Sequence, residues 1–153
     1  MIKIDFKNLQ PPAISEQTLE VLQDNIEKAI EGEKLYENEV GTNGDVTLGE
    51  TVEDYDEIEI YFDNDRSSEN GERIFSCVKV IKPHGKYITL ETTKIGSVNV
   101  YRDGQEYQIL ENKLNVVHFY NSVFNGNTVQ TSIDYQGFIR VFKVVGYKNR
   151  KDT

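Results

Sequence analysis

The sequence predicts a mainly β protein: an antiparallel β-sandwich, jelly-roll-like or related, preceded by an extended arm and one amphipathic α-helix. Three observations carry this reading. From Lys34 onward apolar residues recur with a period of two, in short runs such as "DEIEIYF", "KYITLET" and "GFIRVFKVVGYK". Turn pairs separate the runs: Asn43-Gly44, Asn70-Gly71, His84-Gly85, Asp103-Gly104 and Asn125-Gly126. Such pairs favour positive-φ turns whose twist suits a hairpin. Only "SEQTLEVLQDNIEKAIEG" has a helical period. Many short strands with closely spaced turns mean a sandwich or barrel, not βαβ units.

In chain order, residues 1–14 read as the arm. Ile2, Ile4 and Phe6 alternate with polar residues, and Pro11-Pro12 then breaks any regular structure. Residues 15–32 read as the helix, with Ser15 as N-cap, Glu16 favourable to the dipole and Gly32 as the left-handed stop. Leu19, Leu22, Ile26, Ala29 and Ile30 form one narrow apolar stripe. A helix this short is marginal alone, so the stripe must be covered. It packs on its own domain or on further copies around an axis; Leu19, Leu22, Ile26 and Ile30 are the candidate assembly residues.

Residues 33–148 read as the sandwich, and 149–153 as a disordered tail. Its candidate strands are "KLYEN", "DVTL", "DEIEIYF", "RIFSCVKVI", "KYITLET", "SVNVYR", "EYQILE", "LNVVHFY", "TVQTSI" and "GFIRVFKVVGYK". The sharpest hairpin expectation is "VNVYRDGQEYQI", turning at Asp103-Gly104.

Composition narrows the function. The chain has 153 residues, the size of one ordinary domain, and is 37 % hydrophobic and 28 % charged. No apolar run approaches the roughly 18 residues of a membrane helix, and the N-terminus has no signal core, so neither membrane insertion nor export is expected. The net charge of −9 argues against nucleic acid, which needs a basic stripe. Residues 1–72 carry 20 acidic and 5 basic side chains, whereas 73–153 carry 6 and 12. Either the halves neutralise each other within one fold, or acidic and basic faces meet between subunits.

The acidic stretch "FDNDRSSENGERI" invites a chemical reading. Asp63, Asp65 and Ser67 fit the first three ligand positions of a calcium loop, but Ser68 stands where the central Gly belongs and Ile74 where the bidentate Glu belongs. Asp63 and Asp65 are therefore weak metal candidates at most, and the stretch reads as a hairpin loop closed by Asn70-Gly71. Glu57 and Glu59 alternate with Ile58 and Ile60, which predicts solvated carboxylates on a polar face rather than tuned acids. Cys77 lies in an apolar run and is expected to be a buried structural thiol. His84 falls in a turn and His118 in a strand, and no nucleophile elbow or phosphate loop is present. A non-enzymatic protein without a cofactor is expected. The tyrosines supply aromatic surface for sugars or proteins, with Tyr61, Tyr101 and Tyr107 as candidate saccharide contacts.

The order of pieces carries a resemblance. "IDFKNLQPPAISEQTLEVLQDNIEKAI" resembles the N-terminal lead of small structural proteins in tailed phages of Gram-positive bacteria, where an F-x-N-L arm precedes an L-x-x-L-Q-x-N-I helix. "KLYENEVGTNGDVTLGETVEDYDEIEIYFDND" resembles the opening of a β-sandwich module in phage tail-fibre, head-fibre and baseplate proteins, and "GFIRVFKVVGYK" its last strand. The likeness spans most of residues 4–148 as an ordered series of loose apolar and turn patterns. It implies a virion-associated β-sandwich similar to the shoulder domain of siphophage receptor-binding proteins, which are usually trimers docked through N-terminal helices or arms. The expected partners are itself as a homotrimer, other phage tail or capsid proteins, and, in an adhesion role, host cell-wall polysaccharide. The expected location is the virion, or the host cytoplasm before assembly. The sequence reaches Thr153 soon after "VVGYK" with no visible triple-β-helix neck or separate head, a departure from that plan. An accessory or adaptor role is an expectation that fits as well as direct saccharide binding, and so does attachment through the module itself.

Overall fold

The structure, a computed structural model, describes residues 16–64, 75–126, 128–132 and 137–148. The arm at 1–14, Ser15, the Asn70-Gly71 turn and the tail at 149–153 lie outside the described residues. The chain divides into two compact units at the Gly32–Glu33 junction.

The first unit holds α1, Glu16–Glu31. Gly32 follows it at φ +78°, the left-handed stop that a side chain would resist. Leu19, Leu22 and Ile26 of the stripe are exposed by half or more. The side chain of Ile30 lies outside the described residues.

The second unit is the β-sandwich. Its strands are β1 Glu33–Thr42, β2 Val46–Thr47, β3 Glu57–Asn64, β4 Phe75–Ile81, β5 Tyr87–Ile95, β6 Asn99–Leu110, β7 Lys113–Asn125, β8 Thr128–Ser132 and β9 Ile139–Tyr147. One sheet runs β1-β9-β3-β4; the other runs β2-β7-β6-β5, with β8 also on β7. All the pairings are antiparallel. The alternation in the sequence sorts the faces: Ile58, Ile60 and Phe62 of β3, Val80 of β4, Leu90 of β5, Tyr107 and Ile109 of β6, Leu114 of β7 and Val141 and Val144 of β9 meet in one core. Each such side chain contributes roughly 1.5–3 kcal/mol through burial. Gly146 of β9 leaves room for the Tyr55 ring, which would stand 2.4 Å from an added Cβ.

Turns at Gly44, Gly85 and Gly126 take positive φ, as their Asn-Gly and His-Gly pairs predict. Asp103-Gly104 does not turn. It lies in the middle of the twelve-residue β6, so the two expected strands "SVNVYR" and "EYQILE" are one. The surroundings explain the difference. Gly104 pairs with Tyr120 of β7, whose ring occupies the space of a Gly104 side chain, 2.1 Å from where a Cβ would stand. Asp103 is fully buried and hydrogen-bonded between the sheets. The hairpin bend falls instead before β6, where the Gly96 N–H donates to the Asn99 carbonyl at 2.7 Å.

Candidate functional site

The side of the β1-β9-β3-β4 sheet that carries Glu57, Glu59, Tyr61 and Asp63 concentrates the charged chemistry. These four alternate with the core residues of β3, so they share one face. Their cross-strand partners are Ile81, Lys79, Cys77 and Phe75 on β4 and Tyr147, Val145, Lys143 and Arg140 on β9.

Glu59 is not the solvated carboxylate its alternation suggests: it is only 7 % exposed. The Tyr61 and Tyr147 hydroxyls donate to its Oε2 at 2.7 and 2.8 Å, and the Lys79 ammonium lies 3.0 Å from Oε1. Burial alone would raise its pKa. The two hydroxyls and the lysine together outweigh that and bring it down to about 2. Glu59 is thus a fixed anion, the reverse of a proton donor poised near neutrality. The hydrogen bond to Glu59 first, and partial burial second, push the Tyr61 hydroxyl well above the ordinary tyrosine range.

Cys77 stands next to this cluster and is exposed, not buried as its apolar run suggests, because face alternation turns it away from the core on β4, an edge strand among the described residues. Partial desolvation and the Glu59 charge raise its thiol pKa, which makes it a poor nucleophile.

Asp63 belongs to β3, not to the loop, and is fully buried. Arg140 Nε and Nη2 donate to its two oxygens at 3.1 and 2.9 Å, a bidentate pair. That engagement counts against Asp63 as a metal ligand; Asp65 lies outside the described residues. Among the described residues no three His, Cys, Asp or Glu side chains stand together as a metal site requires.

A second polar cluster lies between the sheets at the same end. Asn64 Nδ2 donates to Thr92 Oγ1 at 2.6 Å and Asp103 Oδ2 at 2.8 Å, joining β3 to β5 and β6. With its amide nitrogen turned inward, Asn121 donates to Asp103 Oδ1 at 2.9 Å. Gln105, also fully buried, accepts from the Tyr107 hydroxyl at 2.7 Å. On the opposite face of the β2-β7-β6-β5 sheet, Glu91 takes Arg102 Nε at 2.7 Å and the Tyr120 hydroxyl at 2.5 Å. Burial first and the Glu91 contact second push Tyr120 up to about 12.

A cavity of about 300 Å³ opens between the β2–β3 connection and the β4–β5 turn. Val52, Tyr55 and Pro83 form its apolar lining, and Lys82–Asp56 and His84–Glu53 pair across it at 2.5 and 3.0 Å. Asp54 adds a third carboxylate to the lining.

The candidate saccharide contacts do not converge. Tyr107 is fully buried in the core, because β6 is continuous and turns it inward. Tyr101 is half-buried, its hydroxyl accepting from Asn99 Nδ2 at 3.1 Å. Tyr61 is the one that reaches solvent, with 36 % of its surface exposed. Arg140 was not singled out from sequence, and Asp103 only as a turn residue; the available signal for Arg140 was a charge inside an otherwise apolar strand pattern, which a buried polar partner accounts for.

Ion pairs also link the two unevenly charged halves. Lys79, Lys82, Lys113, Arg140 and Lys148 from the basic half engage Glu57 and Glu59, Asp56, Asp45, Asp63 and Glu33 from the acidic half. Neutralisation within the fold is thus partial among the described residues, as interleaved antiparallel strands allow. No helix among the described residues is long and apolar enough to cross a membrane. No protein family, curated protein or solved structure matches the chain.

Proposed function

We propose that this chain is a non-enzymatic structural or accessory subunit of a tailed-phage particle, associated with the tail tip or baseplate and assembled as a homotrimer through α1. One observation carries the reading: on a helix of 16 residues, Leu19, Leu22 and Ile26 expose 52, 50 and 58 % of their surface along a single stripe. A stripe of that kind is stabilised by burial against equivalent stripes. The β-sandwich beside it in sequence agrees with the fold that the phage resemblance implies. The 1–14 arm is then the segment that grips a neighbouring phage protein.

Light scattering after gel filtration tests this. The expected mass is that of a trimer, falling to a monomer in a Leu22→Asp, Ile26→Asp variant whose β-sheet signal is unchanged. A wild-type chain that stays monomeric at every concentration overturns helix-mediated assembly. Antibody detection in purified particles tests the location.

A second reading is an adhesion module for host cell-wall polysaccharide. Tyr61 supports it, because its exposed ring lies beside the Glu59 carboxylate and Lys79 ammonium, a mixture of stacking surface and charge that sugars use. A glycan array with the oligomeric protein distinguishes the two readings. Binding that is lost in Tyr61→Ala favours adhesion; no binding removes it.

A further inference from the structure

We propose that β4 is a self-complementary edge through which two copies of this chain pair antiparallel, joining two four-stranded sheets into one of eight strands. Among the described residues β4 ends its sheet, with β3 on one side only. Such an edge presents unpaired backbone donors and acceptors, and proteins ordinarily guard it with charge, proline or a bulge. β4 carries one charge, Lys79, no proline, and seven register pairs with β3 without a break.

The occupant follows from the spacing of its side chains. Phe75 and Ile81 are the apolar ends of the strand, exposed by 67 and 54 %, and they stand equally far from Val78. A two-fold axis through Val78 therefore sets each Phe75 against the partner's Ile81. It sets each Cys77 against the partner's Lys79, and Val78 against itself. Both exposed apolar residues are covered, and no like charges oppose each other. A closed two-fold contact of this sort uses the same patch on both chains.

The two other long edge strands, β5 and β1, fail the same test. β5 has Tyr87 and Ile95 exposed at its ends, but its midpoint is Glu91, so a two-fold pairing opposes two carboxylates. β1 is interrupted by two register shifts and carries Glu33, Lys34, Glu37 and Glu39. The proposal is independent of trimer formation through α1, since it uses a different element.

The test is a disulfide trap in the full chain. Val78→Cys in a Cys77→Ser background places one thiol on the axis, where directly opposed strand residues stand about 4.5–5.5 Å apart between Cα atoms, within disulfide reach. Mild oxidation removes two electrons and two protons from the thiol pair, the oxidant being dissolved oxygen. The expected product is a band of twice the chain mass on a denaturing gel, returned to monomer by reductant. Chains held only through α1 run as monomers on such a gel, so the two assemblies are distinguishable. Adding Phe75→Lys with Ile81→Lys opposes lysines and abolishes the band; Phe75→Lys with Ile81→Glu opposes lysine to glutamate and restores it. A trap variant that keeps the wild-type melting profile yet remains monomeric overturns the proposal, as does a band indifferent to the charge pattern.

Discussion

Arg140 on β9 holds Asp63 on β3 with two nitrogens, at 3.1 and 2.9 Å, where Asp63 is fully buried. The pair lies on neighbouring strands in direct register, and the guanidinium also stands 5.6 Å from the Phe142 ring centroid. The acidic loop that looks reactive in sequence thus begins with a carboxylate already committed to structure.

Removing the arginine leaves a buried charge without its main partner. Arg140→Ala is expected to destabilise the sandwich by about 3–5 kcal/mol. Arg140→Lys recovers only part, because an ammonium cannot make the parallel pair. A double variant, Asp63→Leu with Arg140→Met, recovers most of the loss. Urea midpoints at constant slope measure all three.

Glu59 gives the fold an acid-sensitive component. Its pKa falls from 4.5 in the open chain to about 2 in the fold, so its contribution is full above about pH 4.5 and disappears as the pH drops through about 2. Stability measured across that window is expected to fall more steeply in the native chain than in Glu59→Gln. Tyr147→Phe, which removes one donor, shifts the loss to higher pH.

Gly104 and Tyr120 form a coupled pair across β6 and β7. Gly104→Ala forces the new Cβ against the Tyr120 ring and is expected to destabilise by about 1–3 kcal/mol. In a Tyr120→Ala background the same change has a smaller effect, since the ring is gone. A double-mutant cycle from thermal unfolding reads the coupling.

Asn64 joins the two sheets through Thr92 and Asp103. Asn64→Ala removes both bonds from a buried setting, with an expected loss of about 1–3 kcal/mol. Amide hydrogen exchange is expected to rise first in β5 and β6 near those partners.

Much of the architecture is legible before folding. The period-two runs, the single helix with its Gly32 stop and the turns at Gly44, Gly85 and Gly126 are local, and local sterics decide them. Asp103-Gly104 shows the limit of that reasoning. As a dipeptide it favours a turn, yet it runs straight, because Tyr120 from another strand covers the glycine and Asn64 from the other sheet holds the aspartate. Cys77 and Glu59 show it again. The same alternating pattern leaves one exposed on an edge and the other buried among tyrosines, and strand order alone makes the difference.

By itself, then, the sequence determined a helix followed by an antiparallel sandwich, which faces of its strands are apolar, and an absence of the familiar reactive motifs. Only the tertiary structure decided that Asp63 belongs to Arg140, that Tyr107 is core and that β4 is an edge. The reason is physical: backbone preference and face alternation act between neighbours in the chain. Burial, ion pairing and edge position instead depend on which distant strands come to lie side by side.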